Sequence, residues 1–179
     1  MNKLFHPVES TTVRRGAEVL LEVLASEGVE YIFGNPGTTE LPLMDALLRT
    51  PDIHYVLALQ EASAVAMADG YAQAARRPAF LNLHTAGGLG HGMGNLINAY
   101  VSQTPLVVTA GQQDSRHTVT DPLLFGDLVR IAEPAVKWAK EVTSCEGSIG
   151  CFGCSPGEVL RDWKSPNPQS QNKTPDEHT

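Results

Sequence analysis

The chain has 179 residues, 42% hydrophobic and 18% charged, with a formal net charge of -7. That is enough for one domain with a sizeable core, and its acidity excludes electrostatically driven binding to nucleic acid or to an anionic membrane surface. No apolar run approaches the roughly 20 residues that span a bilayer, and the opening MNKLFHPVES has no apolar signal core, so a cytoplasmic location is expected.

In chain order, Ser10, Thr11 and Thr12 offer N-caps to a segment with Val13, Ala17, Leu20, Leu21 and Leu24 at helical spacing, closed by Gly28. Val29 to Phe33 reads as a short strand. It opens into Gly34-Asn35-Pro36-Gly37, whose glycines permit close backbone approach and whose Asn side chain supplies hydrogen-bonding groups; a plain turn explains the same composition. Thr38, Thr39 and Glu40 then start a helix that runs through Leu48.

The next strand, Tyr55 to Leu59, contains the unbroken apolar run Val56 to Leu59, which reads as buried, and the alanine-rich segment after it is helical as far as Ala75. Glu61 falls where this strand turns into the helix. A carboxyl flanked by Leu59, Val65 and Met67 is expected to be partly desolvated and shifted toward the range useful for proton transfer, while a glutamate complementing the helix dipole is the plainer alternative. The many alanines of this helix are explained by helix propensity, or by a self-association surface that would place Glu61 beside a subunit boundary.

Ala79 to Leu83 is a further strand, followed by the segment His84 to Gly92, too rich in glycine to start as a helix, then a helix over Asn95 to Val101 and a strand over Leu106 to Thr109. No acidic residue ends that last strand, so the glycines do not form a dinucleotide fingerprint. His84, at a strand end, is open to a structural or a catalytic role; His91 has less to recommend it. The alternation of strand and helix without hairpin signals predicts an α/β fold: a doubly wound, mainly parallel sheet of about five strands with helices on both faces. The loops after Phe33, Leu59, Leu83 and Ala110 then share one edge, where ligands bind in such sheets.

Four ordered segments, IFGNPGTTELPLMDAL, YVLALQEASAVAMADGYAQA, AFLNLHTAGGLGHGMGNLINAY and PLVVTAGQQ, together resemble the N-terminal pyrimidine-binding domain of thiamine diphosphate enzymes. The likeness covers about Val13 to Val142. It is strongest to benzoylformate decarboxylases, with acetolactate synthases and related 2-oxo acid decarboxylases behind. The resemblance implies that Glu61 hydrogen-bonds N1′ of the cofactor's aminopyrimidine and so promotes loss of the thiazolium C2 proton, after which the cofactor is the electron sink for decarboxylation of a small 2-oxo acid. It implies cofactor contacts from Asn35, Pro36 and Gly37 as well as Glu61. His84 matches a histidine that handles protons on the intermediate and meets substrate, and acetolactate synthases lack it. Thr38 matches a serine whose hydroxyl meets the substrate carboxylate; its extra methyl leaves substrate identity open.

Family members continue with further domains, one binding the diphosphate through Mg2+ with a GDG segment, and nothing in this chain matches that motif. The expectation is therefore a pyrimidine-binding domain over 1–143, incomplete, and an irregular or disordered tail over 144–179, as a truncation or a shifted reading frame would produce. Mg2+ and the diphosphate site would come from a domain absent from this chain, through homodimerisation or association with a diphosphate-binding partner. The alternative is a non-catalytic remnant or interaction partner that keeps the fold. Cys145, Cys151 and Cys154 lie in the tail; with one CxxC and only remote His178 as a further ligand, they read as incidental rather than as a metal site.

Overall fold

A computed structural model describes residues 15–142. The caps expected at Ser10 to Thr12, the tail 144–179 and the three cysteines lie outside the described residues. Four strands, β1 (Tyr31–Gly34), β2 (His54–Leu57), β3 (Ala79–Leu83) and β4 (Leu106–Ala110), form one parallel sheet in the order β2-β1-β3-β4. The α-helices of the described residues are α1 (Gly16–Ser26), α2 (Leu41–Leu47), α3 (Glu61–Ala75), α4 (Thr85–Val101) and α5 (Leu128–Ala132).

The two inner strands carry apolar residues on both faces, as a sheet covered on both sides requires. Ile32 and Phe80 pack with Leu21 and Leu24 of α1 and Leu43 and Ala46 of α2. Phe33, Leu81 and Leu83 face the other way, toward Ala64, Val65 and Ala68 of α3 and Leu89 and Leu96 of α4. Successive side chains of β1 and β3 thus feed two separate cores, and β3 is buried along its whole length. Buried Asn82 is satisfied within the sheet: its Nδ2 donates to Thr109 Oγ1 at 3.1 Å, and its Oδ1 accepts from Tyr55 Oη at 3.4 Å.

The doubly wound parallel sheet is as expected, with four corrections. First, the sheet has four strands among the described residues, against about five expected. Second, the N-cap position of α1 is Arg15, and Glu18 Oε2 accepts from its backbone N–H at 3.2 Å. Third, β2 is an edge strand rather than a buried one, and it ends at Leu57; Leu57 and Leu59 are exposed. An apolar run does not distinguish a buried strand from one at an edge.

The fourth correction concerns the glycine-rich segment, which is helical from Thr85 onward. The buried positions of α4, Thr85, Gly88, Leu89, Gly92, Leu96 and Ala99, recur at helical spacing and face α3, whose own buried positions are Glu61, Ala64, Val65, Ala68 and Ala72. Small residues on both faces let the two helix axes come close. A Cβ on Gly92 would lie 3.1 Å from Val65 Cγ2 and 3.4 Å from Leu83 Cδ1. Part of the small-residue surface of α3 is therefore used within the chain; Ala66, Ala74 and Ala75 remain exposed.

Candidate functional site

The strand order fixes where a site can form. The chain leaves β1 toward β2 and leaves β3 toward β4, in opposite directions along the sheet, so the carboxyl ends of β1 and β3 part at a topological switch point. Asn35 to Gly37 follow β1 and His84 follows β3, and the two segments touch: a Cβ on Gly37 would collide with the His84 ring. Above this crevice lies a cavity of about 380 Å³ lined by residues that include Asn35, Glu61, His84, Thr85, Gly88 and His91.

Glu61 is the first residue of α3 and is 7% exposed. The expected burial is present, but its source differs: Leu59 is 91% exposed, and the carboxyl lies instead against α4, where a Cβ on Gly88 would sit 2.9 Å from Oε1 and 3.0 Å from Cγ. Asn35 Nδ2 donates to Oε1 at 3.2 Å, and His91 Nδ1 lies 3.3 Å from Oε2. The helix end is capped by another residue, Gln60, whose Oε1 accepts from the Ser63 N–H at 3.1 Å. The two carboxylate oxygens of Glu61 thus engage groups outside its own helix.

His84 is the residue before α4, and its side chain is mostly buried at the crevice. Its Nδ1 lies 2.8 Å from Glu40 Oε2 and 3.1 Å from Thr39 Oγ1. Thr85, next in sequence, has φ of 59° although it is β-branched and fully buried, and its hydroxyl donates to the His84 carbonyl at 2.8 Å. Such a conformation costs on the order of 1–3 kcal/mol. Here it turns the chain from β3 straight into α4, which leaves His84 at the crevice and sets the glycine face against α3.

Of the residues singled out in the sequence, Glu61, Asn35 and His84 line one cavity. Gly37 supports the His84 ring from below. Thr38, exposed on a short 3-10 turn (Thr38–Glu40), and Pro36 are not among the cavity-lining residues. His91, given little weight from sequence, is one of the two partners of Glu61. Glu40, read only as part of a helix start, is 3% exposed and holds His84. No three His, Cys, Asp or Glu side chains converge as metal ligands among the described residues. Nor is any helix of these residues long and apolar enough to cross a membrane.

Residues 14–128 match the family model described as thiamine pyrophosphate enzyme, N-terminal TPP binding domain. The chain is 46% identical over 121 residues to a benzoylformate decarboxylase of Pseudomonas aeruginosa, an alignment covering 67% of this chain and 22% of that protein. It is 33% identical over 131 residues to the acetolactate synthase large subunit of Haemophilus influenzae, covering 73% and 23%. Among solved structures, the thiamine diphosphate-dependent 4-hydroxybenzoylformate decarboxylase of Rhodococcus jostii RHA1 superposes with a TM-score of 0.68 at 40% identity, covering 72% of this chain and 24% of that one. The chain thus spans about a quarter of the length of these relatives, and the matched region contains both the switch-point crevice and Glu61. It belongs to the thiamine pyrophosphate enzyme family, as the N-terminal TPP-binding domain of that family.

Proposed function

We propose that this domain supplies the pyrimidine side of a thiamine diphosphate site in a 2-oxo acid decarboxylase or carboligase, with Glu61 as the residue that engages the aminopyrimidine. The observation that carries the reading is a buried carboxyl at a switch-point cavity, aimed out of its own helix and cleared by a glycine. The chemistry of the donor set fits an aminopyrimidine. A protonated carboxyl offers an O–H and lone pairs, and the neighbouring carboxamide an N–H beyond the one it gives to Glu61, to a ring edge that needs both donors and acceptors. Gly88 leaves backbone in place of a side chain beside them.

When bound, thiamine diphosphate supplies an electron sink for cleaving or forming a carbon–carbon bond next to a carbonyl. Glu61 would hold a proton at its carboxyl and share it with ring nitrogen N1′. Asn35 fixes the Oε1 end of that carboxyl and borders the ring. Gly37, though outside the cavity lining, keeps the β1 loop close enough for its backbone and that of Pro36 to border the cofactor. His84, lining the same cavity, would present an imidazole to the reacting part of a 2-oxo acid, and the Thr38 hydroxyl is assigned to the substrate carboxylate. The diphosphate and its Mg2+ are assigned to a partner domain, on another chain or on a second copy of a longer one. Exposed Leu59 and part-exposed Leu124 at the cavity mouth support a covering partner there.

The test is a chimera in which residues 15–142 replace the matching segment of the P. aeruginosa benzoylformate decarboxylase. Glu61→Gln keeps the size of the side chain and one acceptor but cannot share an acidic proton with N1′. Turnover and exchange of the thiazolium C2 proton should fall by about 100-fold to 10,000-fold relative to the unmutated chimera, the usual contribution of a general acid or base. C2 exchange within about threefold of the reference would remove Glu61 from that role.

A further inference from the structure

We infer that Glu40 is a positioning residue that locks His84 in the tautomer bearing its proton on Nδ1, so that Nε2 is the nitrogen offered to the cavity. The inference deepens the proposed function, because the use of that nitrogen rests on His84 acting at the site. The tautomer itself does not depend on any cofactor.

Donors and acceptors around the ring decide where the proton sits. Glu40 Oε2 accepts from the Gly37 N–H at 2.8 Å, and Oε1 accepts from the Thr39 hydroxyl at 2.5 Å. The Thr39 proton is therefore spent on Glu40, and toward His84 that hydroxyl shows only lone pairs. Nδ1 of His84 faces this oxygen at 3.1 Å and Glu40 Oε2 at 2.8 Å. A ring nitrogen between two acceptors must carry the proton. Among the described residues no hydrogen-bond partner takes Nε2.

The surroundings are shaped to hold this arrangement. Glu40 is 3% exposed, and its nearest neighbours include two glycines. A Cβ on Gly111, just past β4, would collide with Glu40 Oε1 and Thr39 Oγ1, and one on Gly37 would collide with the His84 ring. Residues following β1, β3 and β4 thus converge on one carboxyl that does not itself line the cavity. A free histidine side chain favours the opposite tautomer, with the proton on Nε2, so the carboxyl reverses a preference. In its neutral form His84 then meets a ligand as an acceptor or base.

The experiment uses the 179-residue chain labelled with 15N at histidine and long-range 1H–15N correlation at a pH where the imidazoles are neutral. His84→Asn identifies the His84 signals among the six histidines. The expected spectrum has Nδ1 at the shift of a protonated nitrogen and Nε2 at that of a bare one. Thr39→Val, which leaves the carboxyl, should preserve that pattern. Glu40→Gln should lose it, moving His84 toward Nε2–H or toward averaging of the two tautomers. An Nε2–H tautomer in the unmutated chain overturns the inference, as does loss of the pattern in Thr39→Val or its full retention in folded Glu40→Gln. If Glu40→Gln fails to fold, the unmutated chain and Thr39→Val decide between the same two answers. None of these outcomes bears on Glu61, so failure here is distinct from failure of the cofactor reading.

Discussion

Gly88→Ala tests the packing of Glu61 against α4 without touching Glu61 itself. In a helix interior, alanine is favoured over glycine by roughly 0.5–1 kcal/mol, because glycine loses more backbone freedom on folding. Gly90 and Gly94 are exposed on the same helix, with nothing within 4 Å of the place a Cβ would take, so alanine there should deliver that gain. At Gly88 the added carbon would sit 2.9 Å from Glu61 Oε1, 3.0 Å from Cγ and 3.2 Å from Cδ. The carboxyl has to swing away, which breaks its 3.2 Å bond from Asn35 or its 3.3 Å contact with His91. Overpacking of this kind costs about 1–3 kcal/mol. Gly88→Ala should therefore be less stable than Gly90→Ala by about 1–3 kcal/mol even though propensity favours both equally. Urea denaturation followed by far-UV circular dichroism measures the difference. Adding Glu61→Ala to each completes a double-mutant cycle, in which a coupling of about 0.5–3 kcal/mol is expected for Gly88 and about none for Gly90. Equal stability of the two single variants would mean that Glu61 is not held against α4, and the geometry assigned to the site would fail with it.

Two further outcomes follow from neighbouring residues. Burial, reinforced by the nearby Glu40 carboxylate, pushes the Tyr55 phenol up, whereas in the unfolded chain it ionises near pH 10. The folded state then keeps a proton that the unfolded state gives up, so this contribution to stability is complete below about pH 10 and is lost as the pH rises beyond it. Tyr55→Phe should flatten that alkaline decline in urea midpoints, and an unchanged slope would show that another group causes it. Separately, a Cβ on Gly34 at the end of β1 would collide with Tyr55 Oη and with the Asn82 backbone carbonyl. A carbonyl in the most buried strand has nowhere to go, so Gly34→Ala should destabilise by about 1–3 kcal/mol or more, and a melting temperature equal to that of the unmutated chain would contradict it.

How far the site can be read from sequence depends on which physical signal each residue gives. Strand and helix alternation is a local pattern, and it suffices for the doubly wound parallel sheet and for the edge on which Asn35, Glu61 and His84 meet. Burial at the ends of the sheet is not local: Val56 to Leu59 has the composition of an inner strand, but the order β2-β1-β3-β4 leaves it at the border. The glycine-rich segment misleads for a related reason. Glycine opposes helix by propensity, yet Thr85, Gly88, Leu89, Gly92 and Leu96 hold the helical period, and burial of that face against α3 outweighs the propensity.

That one reassignment also accounts for His91. In a loop its direction is undetermined, whereas in a helix starting at Thr85 it lies three residues beyond Gly88, on the turn that crosses the start of α3. The same glycine that admits the Glu61 carboxyl therefore brings a histidine to its other oxygen. Glu40 is harder to see, because a glutamate at a helix start is ordinarily solvated and assigned to the helix dipole. What distinguishes it is tertiary: Gly37 and Gly111, on loops more than seventy residues apart in the chain, are both bare where they meet the Glu40–His84 pair. Neither glycine announces this in sequence, since each also fits a turn. Only when the carboxyl ends of β1, β3 and β4 are brought to one edge do two missing side chains become the space that a buried carboxyl and its histidine occupy.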